Sequence, residues 1–242
     1  MKLAMHVAIG LMISTALVPA QQDYFIDQRH DLEEFEATHS IQGLSPVVQE
    51  FTPSIGALDV VEIWTQDGSN PVTNGVGATL QVWIRDDTTN GTILAESQPL
   101  ALPDGWDGPA RFVFTNLVWL EGAKRYAMEL KVLSGNNWLV RSHGSLFPPP
   151  YPAGRYFLGS SVSTQTDMWF RTGVRVPSPH AHLEYPHRLR WQGIPSMSYR
   201  VWRSTNLLDW TEAGTVFLNS TNFLFTNLVT AGSATFYRVS QP

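Results

Sequence analysis

From Phe51 onward the chain alternates apolar and polar residues with period two, which places every second side chain on one face of a sheet. In Arg125–Val132 the residues Tyr126, Met128, Leu130 and Val132 face a core, while Arg125, Ala127, Glu129 and Lys131 face out. Ala78 to Ile84 repeats the pattern with Leu80, Val82 and Ile84, and shorter copies occur at Phe112 to Phe114 and Met168 to Phe170. Between the runs stand Asp67-Gly68, Asn74-Gly75, Asn90-Gly91, Asp104-Gly105, Asp107-Gly108 and Gly135-Asn136, whose residue types suit tight reversals. One stretch, Arg29 to Ala37, has the spacing of a short helix. The pattern therefore predicts an all-β fold, a sandwich or jelly roll, and excludes an α/β fold.

Around Val174 to Pro186 the alternation gives way to Pro177, Pro179 and Pro186 with His180 and His182. Proline lacks the N–H that a ladder needs, so residues 175–186 are expected to be a linker. A second series follows at Leu189 and Trp191, Tyr199 to Arg203, Phe223 to Phe225 and Phe236 to Val239. The expected organisation is a signal peptide over 1–20, one β-sandwich over 23–174, the linker, and a small sandwich over 187–242. Some 60 residues make a small core, so the last unit is expected to lean on the first or be rich in aromatics.

Export is expected from the N-terminus, where Lys2 precedes an apolar stretch from Val7 to Val18 and small residues at Val18 and Ala20 precede Gln21. The stretch is too short to span a bilayer, and no membrane anchor is expected downstream. Without Lys2 the chain holds 15 basic and 21 acidic residues, a formal charge of −6, with no run of lysine or arginine. Nucleic acid and anionic membranes are poor partners for such a sequence. With no cysteine, disulfides, thiol nucleophiles and cysteine metal sites are excluded, and stability must come from packed cores.

Two resemblances carry the reading further. Asp27-Gln28, Gln49-x-Phe51-Thr52-Pro53-Ser54, Val82-x-Ile84-Arg85, Gly91-x-Ile93-Leu94-Ala95-x-Ser97 and Asp167-Met168-Trp169-Phe170-Arg171-Thr172-Gly173 resemble a jelly-roll-like accessory β-sandwich of secreted bacterial proteins. Leu189-x-Trp191, Ser204-Thr205-Asn206-Leu207-x-x-Trp210 and Phe236-Tyr237-Arg238-Val239 resemble small fibronectin-type-III-like repeats. The second resemblance implies a spacer or adhesive unit, with a turn opened by Ser204 or Asn206 and Trp210 capping a core. Neither brings catalytic residues with it.

Sugar recognition needs an aromatic plate beside groups that satisfy hydroxyls. The candidates are Trp106 between Asp104 and Asp107, Trp138 with Arg141, and Tyr151 and Tyr156 around Arg155. Trp64, Trp169, Trp191 and Trp210 are assigned to packing. A structural calcium at residues 103–108 or at Asp86-Asp87, and a metal at His180, His182 and His187, are weaker alternatives to having no cofactor, because neither spacing completes a ligand set. No nucleophile elbow, zinc-protease helix or phosphate loop occurs, although a glycosidase carboxylate pair needs no fixed spacing. The sequence thus predicts a secreted, non-catalytic protein that binds polysaccharide or a surface component, with a protein-contacting spacer as the alternative.

Overall fold

The computed structural model describes residues 24–31, 37–69, 75–144, 151–163, 165–175, 182–184, 188–194, 196–217, 222–225 and 236–240. Within them there are twenty strands and no helix. The first seven are β1 (Tyr24–His30), β2 (Ala37–Ser40), β3 (Val47–Phe51), β4 (Ala57–Asp67), β5 (Ala78–Asp86), β6 (Ile93–Glu96) and β7 (Leu100–Leu102). Next come β8 (Asp107–Trp119), β9 (Tyr126–Ser134), β10 (Trp138–Gly144), β11 (Tyr156–Leu158), β12 (Ser161–Ser163), β13 (Thr166–Met168) and β14 (Phe170–Arg175). The last are β15 (His182–Glu184), β16 (Arg188–Gln192), β17 (Ser198–Ser204), β18 (Thr211–Phe217), β19 (Asn222–Phe225) and β20 (Phe236–Ser240).

The protein is an all-β sandwich built from antiparallel sheets. One seven-stranded sheet runs β1-β14-β4-β10-β13, with β8 on the other side of β4 and β2 on β10. The other runs β12-β11-β3-β9-β5-β6, with β7 also on β5. Between them lies a shared core in which Val61 and Ile63 of β4, Phe112 and Phe114 of β8, Leu80, Val82 and Ile84 of β5, and Met128 and Leu130 of β9 are buried. The side chains expected inward at Ala78 to Ile84 and Arg125 to Val132 do pack in this core, Val132 only in part, but Gln81, Ala127 and Glu129, expected to face out, are buried as well. Burial of these aliphatic and aromatic side chains, about 1.5–3 kcal/mol each, is the main stabilising term in a chain without cross-links.

Several details differ from expectation. Met168 to Phe170 is not one strand: Met168 ends β13, Phe170 opens β14, and Trp169 between them donates its N–H to Arg141 O at 2.9 Å. Residues 29 and 30, expected at the start of a helix, end strand β1, and Ala37 opens β2; residues 32–36 lie outside the described residues. Asn74 of the expected turn lies outside them too.

In the C-terminal part β15-β16-β19 and β18-β17-β20 form two three-stranded sheets around Leu189, Trp191, Tyr199 and Val201. His182, expected in the linker, lies in β15 and pairs with Arg190. The signal segment, most of the linker including His180, and His187 lie outside the described residues. A separate apolar cluster joins the two parts: Ile194 packs with Ile55, Ala57 and Val174, and Phe25, Leu117 and Met197 pack around them.

Candidate functional site

The nominated residues divide into two places. Asp104, Trp106, Asp107, Trp138 and Arg141 gather where β4, β8 and β10 meet. The loop before β8 is anchored by Asp67, whose carboxylate accepts the N–H of Ser69 at 2.9 Å and of Gly105 at 3.1 Å. Burial raises the pKa of Asp67, but these donors outweigh it and hold the carboxyl below its usual range. Gly105 takes φ of 72°, a left-handed conformation that places its N–H at Asp67. Asp107 accepts from the Trp64 indole at 2.7 Å and from Arg141 at 2.6 Å, and the Arg141 guanidinium lies 4.8 Å from the Trp64 ring centre. Asp104 accepts the N–H of Gly75 at 3.0 Å.

Burial corrects three nominations. Trp138 lies wholly inside the core, because Asn137, at φ of 56°, turns the chain so that β10 begins with an inward side chain. Tyr156 is equally enclosed, and burial pushes its hydroxyl pKa upward. Tyr151 is buried edge-on against Phe170, at 5.0 Å between ring centres, and its hydroxyl donates to Gln28 at 3.0 Å. Burial raises its pKa to about 12. None of the three offers a ring face to a ligand. Trp106 is half-buried against the core and donates its indole N–H to Gly108 O at 3.1 Å.

Of the nine tryptophans, Trp119 alone is exposed, at 56 %. Trp138 and Trp191 fill cores. Cations stand over Trp64, Trp83, Trp169, Trp202 and Trp210: Arg141 at 4.8 Å, Lys131 at 4.7 Å, Arg171 at 5.0 Å, and Arg238 at 5.5 and 4.5 Å. Each such contact is worth about 0.5–1 kcal/mol at an exposed site and occupies a ring face. Trp210, expected to cap the small core, instead lies under Arg238 and donates to Leu207 O at 3.1 Å. No cation or ring among the described residues stacks on Trp119.

Trp119 closes β8 and lines a cleft of about 530 Å³ between the margins of the two large sheets. One wall is Leu94 to Glu96 of β6, and the other is Phe114 to Trp119 of β8. The margins are tied together where Gln98 donates its N–H to Val113 O at 2.8 Å and its side-chain amide to the Thr115 hydroxyl. The cleft thus sets an exposed indole and Leu94 beside the Asn116 amide, the Thr115 hydroxyl and the Glu96 carboxylate. Glu96 is its one carboxylate among the described lining residues.

Sequence reasoning missed Trp119, although a signal was available. Extending the Phe112 to Phe114 alternation puts Phe112 and Phe114 inward and Thr115, Leu117 and Trp119 in the opposite phase. A large indole on the polar side of a strand is the anomaly that marks it. As for metals, no group of three or more His, Asp or Glu side chains that could hold one occurs among the described residues. No protein-family model and no curated protein matches the chain.

Proposed function

We propose that this chain is a secreted, non-catalytic carbohydrate-binding protein, a jelly-roll-like sandwich followed by a small fibronectin-type-III-like unit, and that its β6–β8 cleft receives the sugar. The observation that carries the reading is the exposure of Trp119 inside a groove that also supplies an amide, a hydroxyl and a carboxylate. An uncovered indole packs against the apolar C–H face of a sugar ring, while short polar side chains bond its hydroxyls. A binding role is favoured over hydrolysis because glycoside cleavage uses two carboxylates flanking the bond, whereas Glu96 stands alone in this lining.

The test is a panel of neutral polysaccharides against the mature protein and Trp119→Ala. Wild type should bind at least one neutral glycan, and the variant should lose about tenfold in affinity, the equivalent of one aromatic stacking contact. Because the indole is exposed, thermal unfolding should be unchanged. Flat responses across the panel, or equal binding by Trp119→Ala, would refute the assignment. A protein-contacting role is favoured by a different observation: Leu207, Leu208 and Phe236 are all exposed at the Ser204 end of β17. Concentration-dependent self-association abolished by Leu208→Ser would support that reading.

A further inference from the structure

The strand register assembles a charged row that no stretch of sequence contains. Arg29 of β1 stands opposite Arg171 of β14, Arg171 opposite Glu62 of β4, and Glu62 opposite Arg111 of β8. Residues directly opposite share a face, and Val61 and Ile63 on either side of Glu62 belong to the core, so the row lies on the outer face of the sheet. Over four strands it spans about 14 Å.

Two guanidiniums opposite one another are repulsive, and buried carboxylates make the arrangement tolerable. Glu62 accepts from Arg111 at 2.9 Å, from Arg171 at 3.3 Å and from the Tyr24 hydroxyl at 2.6 Å. Asp31 accepts from Arg171 at 2.7 Å, and beyond Gly173 on the same strand Asp59 holds Arg175 at 2.9 Å. The depth of these groups decides the sign of the surface. The Glu62 and Asp59 side chains are 8 % and 10 % exposed, whereas those of Arg29, Arg111 and Arg175 are 67 %, 42 % and 46 % exposed. Glu62 and Asp59 lie beneath Arg111 and Arg175 and fix them facing solvent, Arg171 is held between Glu62 and Asp31 with 29 % of its side chain exposed, and Arg29 approaches Asp31 only to 3.9 Å. Arg111 is further braced over the Tyr24 ring, at 5.0 Å.

We infer that this outer face is a second binding surface, separate from the cleft, for an acidic polysaccharide whose carboxylates or sulfates meet the arginine row. Guanidinium presents a planar fork that matches either anion, and Arg111 and Arg171, held by Glu62, lose little freedom when they are engaged. A repeating anionic polymer suits a linear row better than a single small anion does. A chain with a formal charge of −5 would repel polyanions as a whole, so attraction needs a local cluster of arginines such as this one.

The experiment titrates the full mature chain with alginate, dextran sulfate, unsubstituted dextran and duplex DNA at low and high salt. The expected result is binding to alginate, dextran sulfate or both that weakens as salt rises, with no response to dextran. Preference between the two identifies carboxylate or sulfate as the recognised group. Arg29→Glu, at an exposed position, should lower that affinity about fivefold or more with an unchanged melting temperature. Arg111→Gln should act in the same direction, while Trp119→Ala should leave polyanion binding intact, so the cleft and the face stand or fall separately. Absence of salt-sensitive binding to both polysaccharides, wild-type affinity in Arg29→Glu, or tighter binding of DNA than of either polysaccharide would overturn the inference.

Discussion

His30 is buried in β1 with its ring 5.5 Å from that of His143, and its Nε2 has no hydrogen-bond partner in the protein. Desolvation lowers its pKa below the usual 6.5, and repulsion from His143 adds to this; a backbone acceptor on His143 and the charge of Asp31 oppose it. The unfolded chain therefore takes up a proton near pH 6.5 that the folded chain refuses until lower pH. The stability this contributes is full above 6.5 and is lost as pH falls through that value toward the folded pKa. His39, lowered by burial, acts in the same sense. Asp27 and Asp167, raised by burial, have the opposite sign, favouring the fold in acid and losing that advantage as pH rises through their folded pKa. Urea unfolding of wild type and His30→Gln between about pH 7.5 and about pH 5.5 isolates the histidine, since the carboxyl contribution is common to both. The variant should show a flatter dependence, by up to about 1.4 kcal/mol per pH unit. Parallel curves would show that His30 titrates normally. At this scale the sequence was least legible. Asn136, Asn137 and Arg141 make Trp138 look like a loop plate, yet a single left-handed residue sends it into the core. The cations over five other indoles come from other strands or from strand neighbours whose direction composition does not reveal.

At the scale of elements, the edge strand β1 carries Arg29 and Tyr24 of the charged face, so its seating on β14 is a functional matter. Gly173 of β14 makes that seating possible: a Cβ there would meet Phe25 O at 2.0 Å and Tyr24 Cδ2 at 2.9 Å. A backbone carbonyl cannot rotate away as a side chain would. Gly173→Ala should therefore push β1 outward and destabilise the protein by about 1–3 kcal/mol, measured by urea unfolding, and weaken alginate or dextran sulfate binding with it. A change under about 0.5 kcal/mol would mean that β1 shifts without cost. Elements were the most legible level. Period-two alternation placed β5 and β9, and the Ser-Thr-Asn-Leu stretch marked a real turn: Ser204 Oγ accepts the N–H groups of Asn206 and Leu207, and Asn206 Oδ1 those of Leu208 and Asp209. Local rules suffice where local hydrogen bonds decide. They failed at Met168 to Phe170, where the break at Trp169 is set by β4 and β10, far away in sequence.

For the whole molecule, the question is whether the C-terminal part is an independent bead. Its sheets have three strands each, and among the described residues its buried core is Leu189, Trp191, Tyr199 and Val201, supported by half-buried neighbours. A core of that size gives little stability of its own. What it has in addition is Ile194, buried against Ile55, Ala57 and Val174, and held by its N–H donating to the Tyr199 hydroxyl at 2.8 Å. Gly56 keeps the approach close, since a Cβ there would meet Ser196 Oγ at 2.9 Å. The expected dependence of the small unit on the large one thus has a defined contact. Calorimetry should show one cooperative transition, and Ile194→Ala should cost about 2–5 kcal/mol as a core truncation. Ile194→Asp, which buries an unpaired charge, should split the transition in two, with the C-terminal part melting first. The same contact reaches the cleft, because Leu117 belongs both to this cluster and to the lining beside Trp119. Undocking should therefore weaken neutral-glycan binding as well. A fragment covering residues 182–242 that melts at the temperature of the intact chain would show instead that the two parts fold separately, and that the cleft owes nothing to its neighbour.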